Sequence, residues 1–165
     1  MTAFQTTQPT GPQTFIYTRT AQFQVPLTVT ASSAYVANNS VGGLIRFNNI
    51  TGPQQSGVIQ NVTVTSLSTQ TTAYKLYVFS DNPSSTTIAD KATPALNTAD
   101  VFKLIDVITL GAADSVIGRT INVTNNIGRA FVTPTQTLYG VLVTTGTPTY
   151  TSASDVTITL TVLQD

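Results

Sequence analysis

The chain contains no histidine, no cysteine, no tryptophan and no glutamate. Without histidine or cysteine, neither a Ser-His-Asp triad nor a Cys-His pair can be assembled. Zinc sites built from nitrogen or sulfur ligands are excluded for the same reason, and a disulfide framework is excluded by the absence of cysteine. The stability of the protein is therefore expected to come from packing, or from association with other chains.

Charge is also scarce, because only 8% of the 165 residues are charged and the formal net charge is zero. Globular domains usually carry about 25% charged residues. The basic residues are scattered singly, whereas a nucleic-acid partner requires a basic stripe, so we expect no nucleic-acid binding. A surface with so little charge has little electrostatic protection against association. Either neighbours in an assembly cover much of it, or it is a neutral, threonine-rich surface that is simply soluble.

Targeting signals are missing as well. The N-terminus does not show the basic and then apolar pattern of a signal peptide, and no apolar run is long enough to span a bilayer. We therefore expect a protein that is made in the cytoplasm and has no membrane partner.

What the chain has in abundance is threonine, at 33 positions, together with valine, isoleucine, tyrosine and phenylalanine. These residue types favour strands. The clearest strand is the last one, in which four aliphatic residues alternate with threonines and so share one face. These four residues are Val156, Ile158, Leu160 and Val162.

Other segments carry strand patterns too. In "GVIQNVTVTSL" the alternation places Val58, Val62 and Val64 on one face. The segments "AYKLYVFSD" and "TLYGVLVTT" are apolar on both faces, which predicts strands that are covered on both sides. Gly140 in the second of these predicts a bulge or a close approach of the backbone to a neighbour.

About nine or ten short strands in one domain predict an all-β fold of two packed sheets. A jelly-roll β-sandwich is the first expectation, because that fold handles exposed strand edges by double-sheet closure; an immunoglobulin-like Greek key is the second. Residues 1–12 are polar and aperiodic, which predicts a flexible extended arm, and residues 13–165 are expected to form a single domain. One or two helical turns are expected, in "SSTTIAD" and in "NTADVFKLI" with Asn97 or Thr98 as the cap.

The stretch "YVANNSVGGLIRF", residues 35–47, raises a separate question because it holds one charge and two adjacent glycines. It predicts a turn at Asn38 to Ser40, after which Gly42 and Gly43 admit a tight backbone path into a strand that runs through Phe47. Its role is either purely structural or that of a loop that contacts a partner.

Two kinds of ligand chemistry remain possible on these residues. Asp90 and Asp100 are the first pair to examine for glycosidase-like catalysis or calcium binding. Against this, no D-x-D-x-D-G spacing is present and aspartates commonly cap turns, so we expect neither an enzyme nor a cofactor. Sugar binding requires exposed aromatic side chains, and Tyr150 in the loop "TPTYTS" is the candidate outside the predicted strands.

From about residue 34 to the C-terminus, four segments together resemble a family of tailed-bacteriophage head proteins of the cement, or decoration, type. They are "AYVANNSVGGLIRF", "GVIQNVTVTS", "YKLYVFSDNPSSTTIADKATPALNTADVFKLIDVITL" and "LYGVLVTTGTPTYTSASDVTITLTVLQD". The most specific phrases are "LYVFSDNPSSTTIAD" and the closing "LYGVLVTTGTPTY…LQD". Residues 1–33 take no part in the resemblance.

The resemblance implies a small β-sandwich that binds the major capsid protein on the surface of the virion and stabilises the head. It also implies self-association as a dimer or trimer. For contacts with the shell or with sister subunits, the sequence suggests the arm, the long loop around residues 83–94 and the loop at residue 150; the residues named are Phe4, Phe15, Pro83, Pro94 and Tyr150. Two alternatives stay open: a tail- or fibre-associated β-domain, and a carbohydrate-binding module.

Overall fold

A computed structural model describes residues 19–116 and 118–165. These residues form ten strands and one 3-10 helix: β1 Arg19–Leu27, β2 Ser40–Asn48, β3 Ser56–Ser66, β4 Tyr74–Phe79, the 3-10 helix Thr98–Lys103, β5 Leu104–Leu110, β6 Asp114–Val116, β7 Arg119–Thr124, β8 Arg129–Val132, β9 Thr137–Thr144 and β10 Val156–Gln164. The predicted all-β class is confirmed. The predicted arm and its boundary at residue 13 lie outside the described residues. In the part of the chain that is described, no helix is both long and apolar enough to cross a membrane.

The strands form two antiparallel sheets. The first has the order β1-β10-β3-β7-β6, with β8 also pairing with β3, and the second has the order β2-β9-β4-β5. Eight strands make four nested pairs: β1 with β10, β2 with β9, β3 with β7, and β4 with β5. A long hairpin that folds over on itself gives this nesting, which is the pairing of a jelly roll. The predicted two-sheet sandwich is thus confirmed, and its topology is of jelly-roll type.

The hydrophobic core lies between the inner faces of the two sheets. The alternation predicted for the last strand is confirmed, because Val156, Ile158, Leu160 and Val162 are all buried while the threonines between them are half-buried. Burying an aliphatic side chain of this size contributes about 1.5–3 kcal/mol. Strand β10 pairs with β1 on one side and with β3 on the other, so its row of buried aliphatic residues lies in the interior of the first sheet.

The alternation predicted for β3 is wrong at one position. Ile59 is buried in the core and Val58 is not, whereas Val62 is buried as expected. The reason is a bulge: the register with β10 pairs Asn61 with Thr161 and Ile59 with Val162, so that Gln60 is left without a partner in that ladder. An extra residue in one strand reverses the facing of everything before it.

The prediction that β4 and β9 are covered on both sides is confirmed. Their inward residues join the main core, while Phe79, Val141 and Val143 form a second apolar cluster on the opposite face. Gly140 marks a close approach, because a Cβ there would lie 3.2 Å from Leu76 Cδ1. The ladder with β4 runs through this position without a shift.

The stretch 35–47 follows the predicted path. A turn carries Asn38 at a φ of 72°, and Gly42 and Gly43 have φ values of 78° and 70°. The register between β2 and β9 shifts between Ser40 and Leu44 at these glycines. The tight backbone brings Gly42 against Leu27, at the end of β1.

One of the two expected helical turns exists. The 3-10 helix in "NTADVFKLI" is capped by Asn97, whose side chain accepts a hydrogen bond from the Ala99 amide. The helical turn expected in "SSTTIAD" is wrong. That segment forms turns and an antiparallel bridge between Thr87 and Ala95, because the loop folds back and pairs with itself.

Replacing Gly42 by alanine is expected to destabilise the protein, because its left-handed backbone alone costs an L-residue about 1–2 kcal/mol. The added Cβ would also lie 2.7 Å from Leu27 Cβ. Gly111→Ala is the matched control, since a Cβ there meets nothing within 4 Å, and we expect a change below about 1 kcal/mol. Urea unfolding measures both free energies, and equal unfolding midpoints would contradict the constraint at Gly42.

Candidate functional site

A long loop, residues 80–97, crosses the outer face of the second sheet, and we call it the covering loop. Ile88 of this loop packs against the apolar cluster that Phe79 and the outward valines of β9 form. Two backbone hydrogen bonds fasten the loop to the start of β2: the Ser40 amide donates to the Ala92 carbonyl (2.8 Å), and the Lys91 amide donates to the Ser40 carbonyl (2.9 Å). The covering loop is therefore fixed over one outer face of the sandwich.

Asp90 is the side chain that joins the covering loop to the core. Its carboxylate accepts hydrogen bonds from the Thr30 amide (2.9 Å) and hydroxyl (2.7 Å), from the Gly42 amide (2.7 Å), and from the Tyr35 hydroxyl (2.8 Å). Burial raises the pKa of Tyr35, and the hydrogen bond to Asp90 raises it further, so the phenol stays protonated and donates. One carboxylate thus holds together the β1–β2 connection, the start of β2 and the covering loop.

Asp100 performs a similar task at the other end of the loop. Its buried carboxylate accepts hydrogen bonds from the Ser85 amide (2.9 Å), the Thr86 hydroxyl (2.8 Å) and the Lys103 ammonium (2.8 Å). The hydrogen bond from Lys103 lowers the pKa of Asp100; burial opposes this, and the bonds from Thr86 and Ser85 add to the lowering. The charged form of Asp100 therefore ties the covering loop to the 3-10 helix.

Both aspartates suggested as a catalytic or calcium pair are thus occupied by structural hydrogen bonds, Asp90 with the β1–β2 connection and the start of β2, and Asp100 with the covering loop and Lys103. Asp81, at the start of the loop, likewise accepts a hydrogen bond from the Asn82 amide (2.7 Å). Across residues 19–116 and 118–165, no three acidic, histidine or cysteine side chains come together as a possible set of metal ligands. Asp90 and Asp100 thus link segments that are distant in the chain, which differs from the local turn-capping role suggested by the sequence.

A cleft of about 300 Å³ opens between the covering loop and the sheet beneath it. Its wall is mostly apolar, its polar groups are neutral, and no charged side chain lines it. Six of its ten lining residues come from the covering loop and from Asn38 beside its anchor, and four come from β4 and β9. The lining residues are Asn38, Tyr77, Phe79, Thr86, Ile88, Thr93, Pro94, Leu96, Val141 and Val143.

Beside the cleft, the 3-10 helix presents apolar side chains to solvent. Phe102 is 93% exposed, Val101 is 44% exposed, and Leu96, just before the helix, is 39% exposed. We call these three residues the apolar patch. The backbone that carries it is anchored, because the Lys103 carbonyl accepts hydrogen bonds from both the amide and the hydroxyl of Ser80 (2.8 and 3.2 Å). The phenyl ring of Phe102 is thus held out into solvent on a fixed support.

Tyr150 does not lie where the sequence suggested. It is 0% exposed, its hydroxyl lies 3.0 Å from the Tyr74 hydroxyl, and its ring packs edge-on against Tyr35 with the centroids 5.2 Å apart. Burial raises the pKa of Tyr150, and the neighbouring Tyr74 raises it further. The expectation of an exposed aromatic platform at Tyr150 is wrong, because the loop that carries it bridges to Ala31 and closes the end of the core.

The other suggested contact residues are distributed as follows. Pro94 is half-buried and lines the cleft, and Pro83 is buried in the covering loop. Phe4 and Phe15 lie outside the described residues. The long loop named from the sequence is thus the loop that forms the cleft, although Pro83 itself offers little surface to a partner.

Sequence reasoning missed Phe102. A signal was present, because "DVFKLI" places four apolar residues within six positions, and a single short helical turn cannot bury all of them. The pattern could not show which one faces solvent, since that depends on how the turn meets β5.

A comparison with known proteins found neither a family model nor a curated protein that matches this chain. A function is therefore inferred from the sequence pattern and from the geometry of the covering loop, the cleft and the apolar patch.

Substituting Asp90 by asparagine is expected to loosen the covering loop, because an amide directs N–H groups toward donors that now face a carboxylate. Losing a hydrogen bond to a charged group costs about 1.5–3 kcal/mol. Hydrogen exchange of the Lys91 amide, which bonds to Ser40, should accelerate. Asp114→Asn, at an exposed position on β6, is the control. If the Lys91 amide exchanged at the same rate in both variants, Asp90 would not anchor the loop.

Acid should destabilise the protein partly through Asp100. Its pKa is lower in the folded state than in the unfolded chain, so its contribution is fully present above about pH 4 and is lost as the pH falls through the folded-state pKa. The free energy of unfolding should therefore fall below about pH 4, and less steeply in Asp100→Asn. Unfolding in urea at several pH values measures this slope, and the same slope in both proteins would refute the assignment.

Proposed function

We propose that the protein is a non-enzymatic structural protein of a phage virion, which decorates the capsid by binding the major capsid protein and so stabilises the head. The resemblance of residues 34–165 to cement proteins motivates the proposal. The observation that carries it is Phe102, whose ring is 93% exposed on an anchored helix. An exposed aromatic ring on an anchored backbone is more typical of a surface that binds another macromolecule than of the surface of a protein without partners.

Leaving an aromatic ring in water is unfavourable, because its apolar surface remains hydrated. Large apolar side chains that stay in solvent next to other exposed apolar groups mark interaction surfaces. Binding energy in interfaces concentrates on a few aromatic anchors near the centre of the contact. Phe102, flanked by Val101 and close in sequence to Leu96, has this arrangement, and the hydrogen bonds of Asp100 and Lys103 limit the entropy that binding must remove.

Low charge fits the same role. Some of the few charged groups neutralise each other, as in the ion pair of Lys103 with Asp100 and the pair of Arg129 with Asp106, whose nitrogen and oxygen lie 3.6 Å apart. A neutral surface neither attracts nor repels a partner over long distances, so affinity must come from close contact. Self-association as a dimer or trimer on the virion surface would multiply a modest contact by symmetry and avidity.

The two alternatives have different support. The carbohydrate-binding alternative has less support, because Tyr150, the aromatic residue suggested for stacking on a sugar, is buried. The cleft is also lined mainly by apolar side chains rather than by the amides and carboxylates that recognise hydroxyl groups. A tail- or fibre-associated domain uses the same kind of contact as a decoration protein and differs in its number of copies.

Copy number in the particle is the first test. Quantitative mass spectrometry of density-purified virions is expected to find this chain in a fixed ratio to the major capsid protein, with many copies in each head. A few copies per particle would move the protein to the tail or a fibre, and absence from particles would overturn the proposal.

The contact itself is tested with Phe102→Ser. We expect it to weaken binding to capsid shells about 30-fold or more, the effect of removing an interface anchor, while the thermal midpoint stays unchanged because the side chain is 93% exposed. Val132→Ser is the matched control, since Val132 is 68% exposed but lies on β8, in the other sheet. Cosedimentation with shells measures both, and equal binding by the two variants would eliminate the apolar patch as the contact.

A further inference from the structure

The cleft under the covering loop is an apolar site that residues 19–116 and 118–165 do not fill. Tyr77, Phe79, Val141 and Val143 form its floor, and Ile88, Pro94 and Leu96 are the apolar residues of its loop wall. Its volume of about 300 Å³ is at the lower end of the range for ligand pockets, and it suits an aromatic side chain with a short piece of backbone. Its polar rim, Asn38, Thr86 and Thr93, is neutral.

The N-terminal segment has matching chemistry. Residues 1–18 carry no charged side chain and include Phe4 and Phe15, two of the seven phenylalanines in the protein. Neutral threonine and glutamine side chains surround Phe4 in the sequence, as neutral polar groups surround the cleft. We infer that the N-terminal segment of the same chain docks in this cleft and places Phe4 against Tyr77 and Phe79.

The position of Arg19 defines the path that the segment must take. Arg19 pairs with Gln164, whose side-chain amide donates to the Asn49 and Ile50 carbonyls just beyond the end of β2. Strands β1 and β2 are edge strands of their sheets and lie against each other. A chain that leaves Arg19 can therefore pass around the edge of β2 to reach the outer face of the second sheet.

The length of chain between Arg19 and each phenylalanine decides which of the two can enter the cleft. On that face, β9 begins at Thr137 opposite Asn48, and the cleft residues Val141 and Val143 lie about 13–20 Å further along the strand at about 3.3 Å per residue. Phe15 precedes Arg19 by four residues, a span of at most about 14 Å, which is too short once the edge of the sheet must be rounded. Phe4 precedes it by fifteen residues, a span of up to about 50 Å, which is sufficient.

A tethered segment also outcompetes the same segment of a second copy. Attachment within one chain over such a short distance gives an effective concentration on the order of 1 mM. At about 1 µM protein, docking within one chain is then favoured on the order of 1,000-fold over exchange between chains. The occupant is therefore the chain's own N-terminus.

The absence of cysteine makes this inference directly testable in the full chain. The variant Gln5→Cys with Thr93→Cys places one thiol beside Phe4 and one on the rim of the cleft, and mild oxidation should crosslink them within a single chain. Adding Phe4→Ala to this pair should slow the crosslinking about tenfold, the effect of losing one buried aromatic side chain. Adding Phe15→Ala instead should leave the rate unchanged.

Gln5→Cys with Val123→Cys is the control for random collision, because Val123 lies on the outer face of the other sheet and is 40% exposed. The inference would be overturned if this control pair crosslinked as fast as the test pair, or if Phe4→Ala did not change the crosslinking rate of the test pair. Crosslinked dimers in place of monomers on non-reducing gels would show that a second copy fills the cleft, and would overturn it too. The experiment uses isolated protein without capsids, so its result is independent of the proposed decoration role.

Discussion

The carboxylate of Asp90 is the interaction on which the outer half of this molecule depends. It accepts hydrogen bonds from the backbone of Thr30 and Gly42 and from the hydroxyl of Tyr35, so it joins three segments that are far apart in the sequence. Without this junction the covering loop would be tied to this region by the two backbone hydrogen bonds at Ser40 and by the side-chain hydrogen bonds of Asn39 with Thr93 and of Lys91 with Ser33. The loop that covers the apolar outer face of the second sheet, with Val141 and Val143, would then be held less firmly at this end.

The positive φ angle of Gly42 belongs to the same junction. That conformation turns the Gly42 amide toward Asp90 and brings its Cα against Leu27, so the end of β1, the start of β2 and the covering loop meet at one point. The stretch 35–47, which carries no catalytic side chain, therefore serves as the place where the loop docks. Crowding against Leu27 and a positive φ angle explain the glycine at position 42, and the positive φ angle explains the glycine at position 43.

The distribution of polarity between the two sheets separates their roles. Outward residues of the first sheet include Thr157, Thr159 and Thr161 on β10, which are neutral and half-buried among their neighbours. The second sheet instead hides an apolar outer face under the covering loop and carries the cleft and the exposed ring of Phe102 beside it. Contact with other molecules is therefore expected on the side of the second sheet, where Phe102, the most exposed large apolar side chain of the described residues, lies on an anchored support.

The sequence by itself determined the all-β class, the two-sheet sandwich, the alternation along β10 and the double coverage of β4 and β9, because those features depend on the local period of apolar residues. It also indicated the helical turn that Asn97 caps. It could not locate the bulge at Gln60, which arises from pairing with β10, and it misplaced Tyr150, because burial of a loop residue depends on what the loop packs against. Only the tertiary structure decided that Asp90 and Asp100 hold the covering loop, that a cleft lies beneath it and that Phe102 faces solvent. Each of these depends on contacts between segments distant in the chain, and a linear pattern carries no information on such distances.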